Sequence, residues 1–176
     1  KTLEFEDGFS KKINSKHSIY CNSGSSANLL IVSALQQMGL LHNNKIVVPQ
    51  VSWSTTVFPV IQFGLTPVLC DCNLDNLGID VVHLEQIIRD EKPAAIILVH
   101  VLGFDSHIEK IIELCKANNV IVIEDTCESL GSRTSGKMLG TFGLASSFSF
   151  YFGHHISTIE GGMVCTDDDD FADMVR

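Results

Sequence analysis

Residues 45–72 read KIVVPQVSWSTTVFPVIQFGLTPVLCDC. A β-rich run at 45–50 gives way to "WSTTVFPVIQFG" (53–64), whose apolar residues recur at helical spacing and which ends on Gly64; a second strand-like run follows at 66–72. A strand, a helix and a strand in succession are the mark of a parallel pair, because parallel neighbours need a crossover connection. The same alternation extends outward in both directions. Strands are expected at 17–22, 94–101, 120–126, 146–151 and 162–166, and helices at 25–39, 80–91 and 106–119. Several of the strands are continuously apolar, so both of their faces should be covered. The expected fold is therefore α/β, a three-layer α/β/α arrangement around a mostly parallel mixed sheet. Only "FGHHISTIEG" (152–161) separates the last two strands, too short for a crossover helix, so at least one pair should be antiparallel.

At 176 residues and 45% hydrophobic side chains the chain can bury one proper core, and no repeat or linker divides it. One domain, 1–176, is expected. It begins without Met, and "TDDDDFADMVR" (166–176) stops where a helix capped by Thr166 or one of the aspartates would start; a piece of a larger protein is the expectation. Twelve basic against 21 acidic residues give a net charge of −9, which opposes association with nucleic acid or an anionic membrane surface. The longest apolar run, "AAIILVHVLGF" (94–104), falls well short of the ~20 residues that span a bilayer. Six scattered cysteines with no C-x-x-C pair read as reduced thiols, and a cytoplasmic location is expected.

In open sheets of this kind ligands bind beyond the carboxyl ends of the strands. Four segments lie there: "CNSGSSAN" (21–28), "PQVSW" (49–53), "EDTCES" (124–129) and "FGHH" (152–155). The Ser-Gly-Ser-Ser turn suits a phosphate at a helix N-terminus, and equally suits an ordinary N-cap. It is neither a Walker loop nor G-x-G-x-x-G, which disfavours ATP and dinucleotides. Glu124 and Asp125 end a buried strand, where an unpartnered carboxylate is costly; Asp125 should have a fixed partner, either a protonated heteroaromatic nitrogen or a structural cap or salt bridge. Trp53 can stack on a flat ring or fill the core, and locally the core is the simpler reading. His154 and His155 point to opposite sides of an extended chain and make a poor chelate, so no metal site is expected; one imidazole facing the strand ends can act as a general base.

Taken together and in this order, these segments resemble the sugar-aminotransferase family of pyridoxal phosphate enzymes, from residue 20 to 166. The resemblance implies the large, cofactor-binding domain of the aspartate-aminotransferase type (fold type I), with a smaller C-terminal domain elsewhere. It implies that Ser25, Ser26 and Ser149 hold the cofactor phosphate, that Trp53 stacks on the pyridine ring, that Asp125 pairs with its nitrogen and that Glu128 lies near its 3-hydroxyl. One departure is decisive. The family pattern K-N-L-T-T-G-E-G-G places its Schiff-base lysine six residues before the glutamate, and here that position is His154. Lysines occur only at 1, 11, 12, 16, 45, 92, 110, 116 and 137. "HHIST-x-EGG" is similar to the His-for-Lys subset, the dehydratases that remove the 3-hydroxyl of nucleotide-linked 4-keto-6-deoxyhexoses, with those acting on GDP-4-keto-6-deoxymannose nearest. That likeness implies pyridoxamine 5'-phosphate held without a covalent bond, His154 as base, L-glutamate as amino donor, a homodimer, and a hydrogen-bonded, structural His155. Two other readings stay open. The CDP-4-keto-6-deoxyglucose 3-dehydrase type shares a cysteine at the position of Cys127 and uses an iron-sulfur cluster; a non-catalytic cofactor- or sugar-binding relative would also lack the lysine.

Overall fold

A computed structural model describes all 176 residues. In chain order it comprises α1 (Thr2–Ile13), β1 (His17–Cys21), α2 (Gly24–Gln37), β2 (Lys45–Pro49), α3 (Ser54–Gln62), β3 (Thr66–Cys70), α4 (Val81–Glu91) and β4 (Ala95–Val99). A 3-10 turn (Val101–Gly103), α5 (Ile108–Ala117), β5 (Ile121–Asp125), a short hairpin of β6 (Arg133–Thr134) and β7 (Lys137–Met138), β8 (Ala145–Ser149), β9 (Gly162–Thr166) and α6 (Asp169–Val175) follow. Every expected strand is present: β9 matches its expected bounds, β8 starts one residue early and ends two early, and the others are trimmed at one or both ends. Helix α1 and the β6–β7 hairpin were not anticipated. Helix α1 buries only Glu6, Phe9 and Ile13, too narrow a stripe to stand out in the sequence.

The seven long strands form one sheet in the order β1-β9-β8-β5-β4-β2-β3. Strand β9 runs antiparallel to both of its neighbours, and the remaining pairs are parallel. The antiparallel contact expected from the short 152–161 connection is thus made, between β8 and β9.

Strand periodicity sorts the core into layers. Ile46, Val48, Ile97, Ile123, Ala145 and Val164 face one side, packed with Ile31 and Leu35 of α2, Val60 of α3 and Phe171 of α6. Their sequence neighbours Val47, Ile96, Leu98 and Val122 face the other side, against α4 and α5. Farther along that second side, Phe148, Phe150 and Met163 pack with Phe9 and Ile13 of α1. Helix α6 is capped by Asp168, whose carboxylate accepts from Phe171 N–H at 2.8 Å. No helix is long and apolar enough to cross a membrane.

Candidate active site

A cavity of about 840 Å³ opens beyond the carboxyl ends of β1, β4, β5 and β8. Ser25, Trp53, Asp125, Glu128, Ser149 and His154 all lie on its wall. Ser26 does not. Its N–H donates to the N-cap hydroxyl of Ser23 at 3.1 Å, and its own hydroxyl lies 3.1 Å from the same oxygen, so its polar groups are engaged in capping α2.

Asp125 shares the α2–α3 side of the sheet with Ile123, two residues earlier. It is 5% exposed, and its Oδ2 accepts from Asn28 Nδ2 of α2 and from Thr56 Oγ1 of α3, each at 2.9 Å, while Oδ1 accepts from Cys127 N–H at 3.3 Å. All three donors are neutral, and no lysine or arginine lines the cavity. The structural salt bridge considered for Asp125 is therefore absent. Pro59 takes part indirectly. Lacking an N–H, it leaves the carbonyl of Thr55, four residues back, without its helical donor, and Asn28 Nδ2 reaches that oxygen at 3.4 Å. The sequence alone does not single out Asn28 and Thr56; the signal it carries is a polar residue on each of two otherwise apolar helix faces.

The end of the cavity at the start of α2 is built by close approach. A Cβ on Gly24 would sit 2.6 Å from Ser149 Cβ and 3.0 Å from Cys127 Sγ, so only glycine lets the start of α2 meet β8. Ser149 and Ser25 thus flank the N-terminus of a 14-residue helix, where free N–H groups favour an anion. Burial pushes the Cys127 thiol well up, and Asp125 beside it pushes the same way, so the free side chain stays a neutral thiol. No group of three His, Cys, Asp or Glu side chains is disposed to hold a metal ion.

Trp53 is 73% exposed, which overturns the core-filling reading: it stands at the end of β2's connection, ahead of α3, as an open aromatic face on the cavity rim. Glu128 accepts from Leu102 N–H at 3.0 Å. The 151–160 loop is fastened at its base by Phe150 N–H to Gly161 O (2.8 Å) and Thr158 N–H to Phe150 O (3.0 Å). Within it, His154 N–H closes a turn onto Tyr151 O at 2.9 Å, and its ring meets that of Tyr151 edge-on, 6.1 Å between centroids. Ile159 turns the loop with φ 72°, a strained conformation for a β-branched residue. His155 is exposed and makes no hydrogen bond, so the orienting role expected of it is not supported by a contact. Glu160, not anticipated, joins the wall through its place in the same loop.

A buried carboxylate with neutral donors only, facing a cavity that ends at a helix N-terminus, fits a group with a cationic ring nitrogen and a phosphate arm. Pyridoxal and pyridoxamine phosphate are such groups, and the residues present suit them.

The fold is that of the sugar aminotransferases: the chain belongs to the DegT/DnrJ/EryC1/StrS aminotransferase family, whose model matches residues 1–176. Among curated relatives it is 40% identical, over 95% of its length, to the GDP-4-keto-6-deoxy-D-mannose 3-dehydratase of Yersinia pseudotuberculosis. The Escherichia coli enzyme of that name, solved with bound hydrated PLP, superposes with a TM-score of 0.93 at 37% identity over 99% of the chain and 45% of that protein. A further 3-dehydratase structure, holding a trapped PLP-glutamate geminal diamine, gives a TM-score of 0.90 at 35% identity over 99% of the chain and 46% of that protein. The chain spans 43% of the length of the Yersinia relative.

Proposed function

We propose that this chain is the cofactor-binding part of a nucleotide-sugar 3-dehydratase, with GDP-4-keto-6-deoxymannose the favoured substrate, and that His154 is its base. The observation that carries the reading is His154 on the wall of a cavity that no lysine reaches. Asp125 would hold the cationic ring nitrogen, Ser25 and Ser149 the phosphate together with the α2 N-terminus, Trp53 the ring face, and Glu128 the region of the 3-hydroxyl. Ser26 supports the phosphate site through its cap. Bound pyridoxamine phosphate supplies an amine for the sugar ketone and an electron sink. The imidazole of His154 can take up a proton beside the ring and return it to the departing hydroxyl.

Replacing a hydroxyl by hydrogen is a two-electron reduction, and L-glutamate balances it, leaving as 2-oxoglutarate and ammonia. Water lost from the sugar offsets water used in the deamination. A homodimer suits the site. Trp53 on its wall is 73% exposed, Leu102 and Phe104 in the segment after β4 and Phe152 in the His154 loop are 70, 52 and 69% exposed, and no cationic side chain lines the cavity. The similarity to 3-dehydratases, two of them solved with PLP species, supports the substrate class and the amino donor.

The test uses the full-length protein with pyridoxal phosphate, glutamate and the GDP-linked 4-keto sugar. Equal amounts of deoxy sugar, 2-oxoglutarate and free ammonia are expected, and borohydride should fix no cofactor to the protein. An amino sugar without free ammonia would mean transamination, and no turnover would leave a binding protein. His154→Lys should make the cofactor reducible onto the chain and abolish dehydration.

A further inference from the structure

Glu124 has no role in the chemistry above, yet it is completely buried on the opposite side of β5 from Asp125. Its carboxylate accepts four hydrogen bonds. Oε1 takes the N–H groups of Phe142 (2.7 Å) and Gly143 (2.8 Å), and Oε2 takes that of Gly140 (2.7 Å) and Nε2–H of His100 (3.1 Å). The three amides belong to the segment that feeds β8, the strand ending in Ser149. That segment is pressed onto β5: a Cβ on Gly143 would lie 2.4 Å from Val122 O. His100 directly follows β4 and opens the turn whose Leu102, at φ 52°, donates its N–H to Glu128.

One carboxylate therefore ties the entry to β8 and the exit from β4 to the strand between them, where Asp125 is the next residue. We propose that Glu124 is a positioning residue that sets the span between Asp125 and Ser149 and keeps Glu128 beside them. Resting on the cofactor reading, this makes Glu124 a gauge for ligands that bridge the nitrogen and phosphate ends. A ligand that occupies one end alone does not feel it.

The test compares two probes, pyridoxamine 5'-phosphate and inorganic phosphate, on full-length wild-type and Glu124→Gln protein without bound cofactor. Glutamine keeps the shape but turns one acceptor into a donor, opposing an amide N–H. Affinity for pyridoxamine phosphate should fall roughly tenfold or more while that for inorganic phosphate stays within about twofold. Hydrogen exchange should quicken at Gly140, Phe142 and Gly143. Equal losses for both probes, or none for pyridoxamine phosphate, overturn the proposal. If Glu124→Gln fails to fold, His100→Leu decides. It should weaken pyridoxamine phosphate alone, with recovery in His100→Gln, whose amide can still donate; lack of recovery counts against the gauge. Failure of the cofactor reading shows separately, as wild-type protein that binds phosphate but not pyridoxamine phosphate.

Discussion

Glu124 and Asp125 are consecutive on β5 and both buried, but they face different layers and are satisfied in different ways. Glu124 points toward the α4–α5 side, sealed from solvent, with four donors saturating its oxygens. Asp125 points toward α2 and α3, takes three neutral donors, and keeps one edge open to the cavity. A closed carboxylate holds backbone in place; an open one without a cation has charge left to offer a ligand. The period of two along a strand is all that separates these fates.

Three substitutions put this contrast under strain. The largest effect is expected at Asp125→Asn, which removes the charge but not the shape. Under the proposed function, cofactor retention and turnover by the full-length protein should each drop on the order of a hundredfold, with little change in the unfolding midpoint. Near-normal turnover would remove Asp125 from its place. A smaller effect is expected at Thr56→Val, which deletes one donor to Asp125 Oδ2. Losing that one bond should weaken cofactor binding by about 1 kcal/mol, read as a several-fold rise in its dissociation constant.

The smallest belongs to a carboxylate outside both layers. Asp169 is exposed, and its pKa is held below the ordinary value by hydrogen bonds first from Lys16 and then from His17. A depressed carboxylate contributes stability above its unfolded pKa and loses it as pH falls through the folded one. Asp169→Asn should therefore lower the unfolding midpoint slightly at neutral pH, with the difference from wild type vanishing in acid. A difference that persists in acid would assign the effect to α6 packing instead.

The sheet was legible because doubly covered parallel strands are apolar throughout, and the site region because ligands gather where such strands end. Trp53 was misjudged on local grounds, since nothing in "PQVSW" shows that the chain leaves the core before α3 begins. The partners of Asp125 were hidden by distance along the chain: Asn28 is 97 positions away and Thr56 is 69. The division of labour between Glu124 and Asp125 was available in principle, from the parity of Ile123 and Val122 on the same strand, but only once each side of the sheet had been given its helices.

Strand β1 has a single strand neighbour, β9, at the far end of the sequence. On the ribosome, the segment made early must wait for residues 162–166 before it is anchored, and the Ser23–Ser26 turn waits with it. Gly162 reinforces the dependence, because its bare Cα lies where a Cβ would strike Ser23 O at 2.1 Å. Any grip on a phosphate at that turn should thus arise only after residues 162–166 have emerged, and nascent chains stopped short of Gly162 should show none of it.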